Sequence, residues 1–262
     1  MSLKRSHSAY PPQRKWGEIA HPVGPLRHTP TMAGVNPGDE GNWSRYRSDW
    51  WTGYFAGDLA QAWPSQLDQS EPDSDGYRWV SRKDVFDIAA TKSPHRELRT
   101  AVAAYVWGVG FGSRFRKGQL VRAFTTNSDV VEDKLRRAAR ILAEEGPVAA
   151  YGSMLRGGSA WTKFMGPAYF TKFLFFIGYH DPGLSSHGTK EPDPRNPELS
   201  YRPLILDRRV ATALRERWVF PPGTGNSNWS SDLYRRYLAY CREQYPNDPE
   251  AGEYELFNDG NR

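Results

Sequence analysis

The segment at residues 167–179, PAYFTKFLFFIGY, most constrains how this chain folds, because it is apolar on nearly every side when drawn as a helix. A helix that is apolar all round has to be buried on all sides. Lys172 is its only charged residue. The chain is 262 residues long, which is enough to bury a sizeable core. The sequence therefore predicts a helical core with this segment at its centre.

Helical patterns also fill most of the chain from residue 81 onward. Ser81 and Ser93 stand where helix N-caps are expected, and Gly146 ends a strongly periodic stretch that begins at residue 127. Further helices are predicted at residues 48–63, 147–158, 207–218, 230–245 and 250–260. The predicted fold class is mostly α, with at most a strand or two before residue 90.

The first part of the chain differs from the rest in composition. Residues 1–45 are rich in proline, glycine, histidine and basic residues, which indicates an irregular basic arm. We predict that residues 1–80 form a partly irregular basic extension, which packs on a helical domain at residues 81–262.

Charge and cysteine content narrow the class of protein. The net charge of +5 and the pI near 9.2 mildly favour a polyanionic partner. The single cysteine, Cys241, excludes an internal disulfide and a cysteine-based zinc site, and it indicates the cytoplasm. The sequence has no apolar window long enough to span a membrane, and its N-terminus lacks the apolar core of a secretory signal.

Asp207 stands where an apolar approach, residues 203–206, meets a basic helix in PLILDRRVATALRERW. As an N-cap, its side chain accepts hydrogen bonds from the first-turn N–H groups, and the helix dipole favours its charge. The same placement also holds a carboxylate rigidly for catalysis. The two interpretations are compatible, and both stay open at this point.

Lys172 raises a second question, because a lone ammonium in an apolar helix is costly unless it is paired or reaches water. In one interpretation, its long stem carries the charge to the surface. In the other, it faces a cleft and has Asp207 as its partner.

Residues 161–167, WTKFMGP, form a tight glycine-containing turn in front of the apolar helix. Free backbone N–H groups at such a turn bind phosphate, and Lys163 adds a positive charge. We therefore expect Lys163, Phe164 and Gly166 to contact a phosphate backbone. The alternative is a simple connector between two helices.

The order of a short helix, the FMG turn, the apolar helix and PLILDRRVATAL resembles the helix-hairpin-helix superfamily of DNA glycosylases. More narrowly, it resembles the 8-oxoguanine DNA glycosylase fold, over about residues 95–260. Asp207 matches the essential aspartate of that family. The resemblance implies that Asp207 stabilises positive charge on the sugar, or activates water, as the N-glycosidic bond breaks. We assign Trp107, Ala168 and Phe257 to the base pocket.

Two positions depart from the family pattern. The usual hairpin has two glycines separated by one residue, and here Phe164 stands at the first place and Gly166 at the second. Bifunctional members carry a lysine two residues after the final hairpin glycine, where this chain has Ala168. Lys172 lies one turn later on the same face, and helical side chains lean towards the N-terminus. Either its amine reaches back and acts as a nucleophile, or the enzyme works by hydrolysis alone.

A glycine-rich, aromatic and basic loop is predicted where residues 104–122 leave a helix. The family uses the loop at this place to fill the gap left by an extruded base. We assign Phe111 as the wedge and Arg114, Arg116 and Lys117 as phosphate contacts. The alternative is a solvated basic loop.

A long proline-rich segment at residues 180–202 replaces a brief connection in the family. Long loops beside a site are often functional, so we expect a wall or lid of the pocket. His180, Asp181 and His187 are too loosely spaced to indicate a metal site, and no metal or cofactor is predicted.

The sequence thus predicts a monomeric DNA glycosylase that flips a modified base out of double-stranded DNA and excises it. The candidate bases are oxidised guanine and a bulky modified cytosine of phage DNA, the latter in anti-phage defence. The alternative is a non-catalytic DNA-binding protein on the same scaffold. A third interpretation is a helical scaffold for protein partners.

Overall fold

α-Helices make up most of the chain that the structure describes, which confirms the mostly α fold class. This computed structural model describes residues 43–55, 57–109, 114–125, 128–179 and 201–260. All of the described residues belong to one compact unit, Gly41–Arg262.

Two short antiparallel strands, with Arg45 opposite Trp79, precede the main helices. The elements up to residue 80 are β1 (Ser44–Tyr46), α1 (Ser48–Thr52), two 3₁₀ helices (Gly57–Ala62 and Ser65–Asp68) and β2 (Arg78–Val80). The later helices are α2 (Arg82–Ala90), α3 (Arg96–Val109), α4 (Arg114–Thr125), α5 (Ser128–Glu145), α6 (Pro147–Met154), α7 (Pro167–Tyr179), α8 (Arg208–Glu216), α9 (Ser231–Gln244) and α10 (Pro249–Asp259).

Helix α7 lies at the centre of the helical core, as its composition predicts. Its side chains are buried continuously from Phe170 to Ile177, and α2, α3, α5 and α6 pack against it. Burying each Phe or Leu side chain stabilises the fold by about 1.5–3 kcal/mol, so this helix contributes much of the hydrophobic energy. Neither α7 nor any other helix within the described ranges is long and apolar enough to cross a membrane.

Side-chain caps fix where several helices begin. Ser81 Oγ accepts a hydrogen bond from the N–H of Asp84 (3.1 Å), and the Asp84 carboxylate accepts one from the N–H of Ser81 (2.7 Å). At α8 and α10 the cap is one-sided: the carboxylates of Asp207 and Asp248 accept hydrogen bonds from first-turn N–H groups. Such caps stabilise a helix by about 0.5–2 kcal/mol each. The cap predicted at Ser81 is confirmed.

The irregular segment that leads into α8, residues 203–206, is buried, so its backbone polar groups need partners. The hydroxyl of Tyr234 donates to the carbonyl of Leu204 (2.9 Å) and accepts from its N–H (3.1 Å). Thr171 Oγ1 on α7 accepts from the N–H of Leu206 (3.1 Å). Because α7 and α9 both hold this segment, the residue that follows it, Asp207, has a fixed position.

The prediction of a loop within residues 104–122 is wrong for its second half, because helix α4 begins at Arg114. Val121 and Phe124 are buried, and the Phe124 ring packs edge-on against Tyr105 at 5.1 Å between centroids. An apolar stripe of this kind stabilises a helix against the core. Three residues assigned to the loop therefore lie on a helix: Arg114, Arg116 and Lys117.

The single helix predicted at residues 48–63 is also wrong. Helix α1 ends at its C-cap, Gly53. Phe55 then turns into the core beside Trp63, with 5.8 Å between the ring centroids. Burial of these two rings takes the chain off the axis of α1, and a separate 3₁₀ helix follows.

Candidate active site

Asp207 caps α8 with one carboxylate oxygen and turns the other towards α7. Oδ1 accepts hydrogen bonds from the N–H groups of Arg209 (2.9 Å) and Val210 (3.2 Å). The side chain is 18% exposed, so it is neither sealed in the core nor turned to bulk water. The N-terminal end of the helix dipole favours its negative charge.

Lys172 is the cation that faces this carboxylate. Its Nζ lies 3.7 Å from Oδ2 of Asp207, and it donates a hydrogen bond to the carbonyl oxygen of Ala168, one turn back along α7 (2.8 Å). Burial lowers the pKa of Lys172, while the negative charges of Asp207 and Glu253 oppose that shift. The amine of Lys172 is therefore neutral more often than the amine of an exposed lysine. A lysine has to be neutral to act as a nucleophile.

Asp207 and Lys172 line one pocket of about 400 Å³, which is within the size range of small-molecule sites, roughly 300–1,000 Å³. The pocket is lined by Trp43, Ser44, Arg82, Trp107, Gly108, Lys172, Ile205, Asp207, Arg209, Glu253, Tyr254 and Phe257. Trp107 and Phe257, which we assigned to the base pocket, are brought together here. Ala168, the third residue of that assignment, contributes its carbonyl to Lys172.

A buried ion pair forms part of the pocket wall. Arg82 Nη2 donates to Oε1 of Glu253 (2.7 Å), and Oε2 of Glu253 accepts from the N–H of Ile205 (3.3 Å). The guanidinium also lies over the ring of Phe175, 4.6 Å from its centroid. Burial raises the pKa of Glu253, and Arg82 is the main opposing influence. The pair joins α2 to α10 and, through Ile205, to the segment that carries Asp207.

Sequence reasoning missed both members of this pair. The spacing of Glu253 indicated that it could be buried, because it stands three residues before Leu256 and four before Phe257 and so lies on the apolar face of its helix. Nothing in the sequence indicated that Arg82 lines a pocket, because it directly follows the N-cap Ser81, and first-turn residues of this kind usually face solvent. Its place in the pocket depends on how α2 packs.

Two donors in pocket-lining side chains have no hydrogen-bond partner in the described part of the chain. They are Nε1 of Trp43 and Nε of Arg82, and both atoms are buried. A buried donor without an acceptor costs about 1–3 kcal/mol. A ligand that brings hydrogen-bond acceptors to this wall would offset that cost.

The turn before α7 lies at the surface and exposes the residues assigned to the phosphate backbone, namely Lys163, Phe164 and Gly166. Phe164 has a φ of 70°, which is the left-handed conformation that glycine adopts most easily. The chain thus keeps a glycine-like backbone at the place where the family hairpin has its first glycine. A Cβ added to Gly166 would meet nothing within 4 Å, so open space adjoins the backbone there.

Other predicted residues lie outside what the structure describes. Phe111 is one, as are residues 180–200, which include His180, Asp181 and His187. For Arg114, Arg116 and Lys117, the backbone of α4 is described but the side chains are not. The residues that are described include no group of three or more His, Cys, Asp or Glu side chains that could hold a metal ion.

A family model described as "Putative 8-oxoguanine DNA glycosylase OGG-like protein" matches residues 39–257. The chain belongs to this OGG-like family. The resemblance to the 8-oxoguanine DNA glycosylase fold is thus confirmed, and the OGG-like match includes the whole pocket lining from Trp43 to Phe257. Searches of curated proteins and of solved structures found no significant match.

Proposed function

We propose that this protein is a DNA glycosylase that flips a modified base out of double-stranded DNA and excises it. The placement of Asp207 carries the proposal. One of its oxygens is held by the first N–H groups of α8, and the side chain lines a pocket of about 400 Å³ beside a buried amine. Membership of the OGG-like family supports DNA as the partner.

The proposed role of Asp207 follows from the charge that develops in the reaction. Breaking an N-glycosidic bond builds positive charge on the sugar ring, and a carboxylate that is already in place stabilises that charge without reorganisation. It also accepts a proton from a water molecule that attacks the sugar. Since Oδ1 is occupied by two N–H groups, Oδ2 is the oxygen assigned to this chemistry.

Lys172 supplies a second route through a covalent intermediate. Its neutral amine attacks C1′ of the sugar, the bond from C1′ to the base breaks, and the base leaves with the electron pair and takes up a proton. The amine gives up one proton to Asp207, which passes it to the departing base, and opening of the sugar ring then moves the remaining amine proton to O4′ and leaves a Schiff base between Nζ and C1′. The lowered pKa of Lys172 and its 3.7 Å separation from Asp207 support this route.

The pocket favours a base that is larger and more polar than an unmodified one. Its volume of about 400 Å³ exceeds that of a nucleobase alone. The unpartnered N–H groups of Trp43 and Arg82 suit a substituent that carries oxygen atoms. We therefore take a bulky modified cytosine, of the kind found in phage DNA, as the preferred substrate over oxidised guanine. The corresponding biological role is defence against phage.

The experiment is mass analysis of the bases released from duplexes that carry a bulky modified cytosine, 8-oxoguanine or unmodified bases, with the wild type compared with Asp207→Asn. Asparagine caps a helix as well as aspartate does, so the variant keeps the N-cap of α8. Base release is expected to fall by about 10²–10³-fold, the scale seen when a transition-state-stabilising group is removed. Affinity for DNA is expected to stay unchanged.

Two outcomes would count against the proposal. Equal base release by Asp207→Asn would remove the role of the carboxylate. A wild-type protein that binds all the duplexes but releases no base would establish the non-catalytic DNA-binding alternative.

A further inference from the structure

Gly108 on α3 lies beside the stem of Lys172, where that stem runs towards the pocket. A Cβ atom added to Gly108 would lie 2.7 Å from Cδ and 2.8 Å from Cε of Lys172. Carbon atoms pack best at about 3.5–4.0 Å. A side chain at position 108 and the present path of the lysine stem therefore exclude each other.

The backbone gives no other reason for a glycine at this position. Gly108 lies within α3, and its φ is outside the left-handed range that favours glycine. Alanine is favoured over glycine in a helix by about 0.5–1 kcal/mol. Gly108 lines the pocket, and within the described part of the chain the atoms that a side chain there would meet are those of Lys172.

The path of the stem decides where the amine arrives. Nζ lies 2.8 Å from the carbonyl oxygen of Ala168 and 3.7 Å from Oδ2 of Asp207. The amine thus reaches one helical turn back from its own residue, to the level of Ala168. A stem pushed away from Gly108 would carry the amine away from both oxygens.

We infer that Gly108 is a positioning residue, which leaves a groove on α3 for the stem of Lys172 and so delivers the amine to Asp207. This inference rests on the function proposed for Lys172. Misplacing a reacting group by about 1 Å can cost roughly 10²-fold in rate, so a single methyl group at position 108 has a measurable effect.

The first test is a double-mutant cycle on the rate of base release under single-turnover conditions. Gly108→Ala is expected to lower the rate by about 10²-fold when Lys172 is present, and to have no further effect in a Lys172→Ala background. The matched control is Gly53→Ala, where the new methyl group meets only the carbonyl oxygen of Asp49 at an ordinary 3.6 Å. An equal loss in both backgrounds would mean a purely structural effect and would overturn the inference.

The second test needs no activity. Reductive methylation followed by peptide mass mapping compares the modification rate of buried Lys172 with that of exposed Lys163. In Gly108→Ala the methylation of Lys172 is expected to rise towards that of Lys163, and in Gly53→Ala it is expected to stay low. Unchanged protection of Lys172 in Gly108→Ala overturns the inference.

Together the two readouts separate the inference from the function on which it rests. If the wild type releases no base from any DNA while Gly108→Ala exposes Lys172 to methylation, the proposed function fails and the positioning contact stands. If base release occurs, but Gly108→Ala changes neither the rate of base release nor the methylation of Lys172, the proposed function stands and the inference fails.

Discussion

Replacing Arg82 by methionine tests whether the buried ion pair at the pocket wall is a main support of the fold. The Arg82–Glu253 pair has an N–O distance of 2.7 Å, and its side chains are only 19% and 5% exposed. Helix α2, which carries Arg82, also carries an exposed ion pair. Lys83 Nζ lies 2.6 Å from Oδ2 of Asp87, and these two side chains are 65% and 58% exposed. The Arg82 pair is more buried, joins two helices and has the Phe175 ring 4.6 Å from its guanidinium, and Lys83→Met is the control for removing an exposed cation from the same helix.

Burial sets the expected magnitudes. Removing one partner of a buried pair leaves an uncompensated charge and costs about 3–5 kcal/mol. An exposed pair one helical turn apart contributes only about 0.3–0.5 kcal/mol. For a domain of this size, 1 kcal/mol corresponds to roughly 2–4 °C in Tm. Arg82→Met is therefore expected to lower Tm by about 6–20 °C, and Lys83→Met by no more than about 2 °C.

The loss in Arg82→Met also depends on pH. Burial already raises the pKa of Glu253, and removal of Arg82 takes away the main opposing influence. A carboxyl whose pKa is higher in the folded state binds its proton more tightly there, so its contribution to stability grows as the pH falls. The stability deficit of Arg82→Met is thus expected to be smaller at about pH 5 than at about pH 7.

Urea and thermal unfolding of the wild type, Arg82→Met and Lys83→Met at both pH values measure these effects. Equal shifts in the two variants would refute the argument that burial makes this pair important. A deficit in Arg82→Met that does not change with pH would refute the assignment of the cost to Glu253.

Two further predictions concern the hairpin and the amine. Phe164 holds a left-handed conformation that costs an L-residue about 1–2 kcal/mol. The variant Phe164→Gly is therefore expected to unfold at a higher temperature than Phe164→Ala. Equal unfolding temperatures would contradict this. Borohydride reduction on modified DNA is expected to trap a covalent adduct with the wild type and none with Lys172→Ala; an adduct that persists in the variant would assign the Schiff base to another amine.

The pairing of Lys172 with Asp207 could be predicted because each residue is unusual where it stands in the sequence. Lys172 is the single charge in an apolar helix, and a buried charge requires a partner. Asp207 ends a buried approach at a helix start, where a carboxylate is held in place. The central helix at residues 167–179 could be predicted for a comparable reason, because a helix that is apolar on nearly every side has to be buried on all sides.

Arg82 and Gly108 could not be predicted as pocket residues, because nothing in their local sequence distinguishes them. Arg82 has the pattern of an exposed first-turn residue, and Gly108 that of a glycine near the end of a helix. Their roles arise from contacts with α10 and α7, which are fixed only when the helices pack. The helix at α4 was missed for a similar reason, since Gly118 weakens its local helix propensity while burial of Phe124 stabilises it.

The pocket takes its walls from distant parts of the sequence, from Trp43 beside β1 to Phe257 on α10. Contacts between such remote segments are costly to close, and parts of a fold open locally at a lower free energy than the whole structure unfolds. If α10 swings out, three wall residues leave together, namely Glu253, Tyr254 and Phe257, while the aromatic centre around α7 stays packed. Loss of base release on heating is therefore expected to precede the loss of the native circular dichroism spectrum.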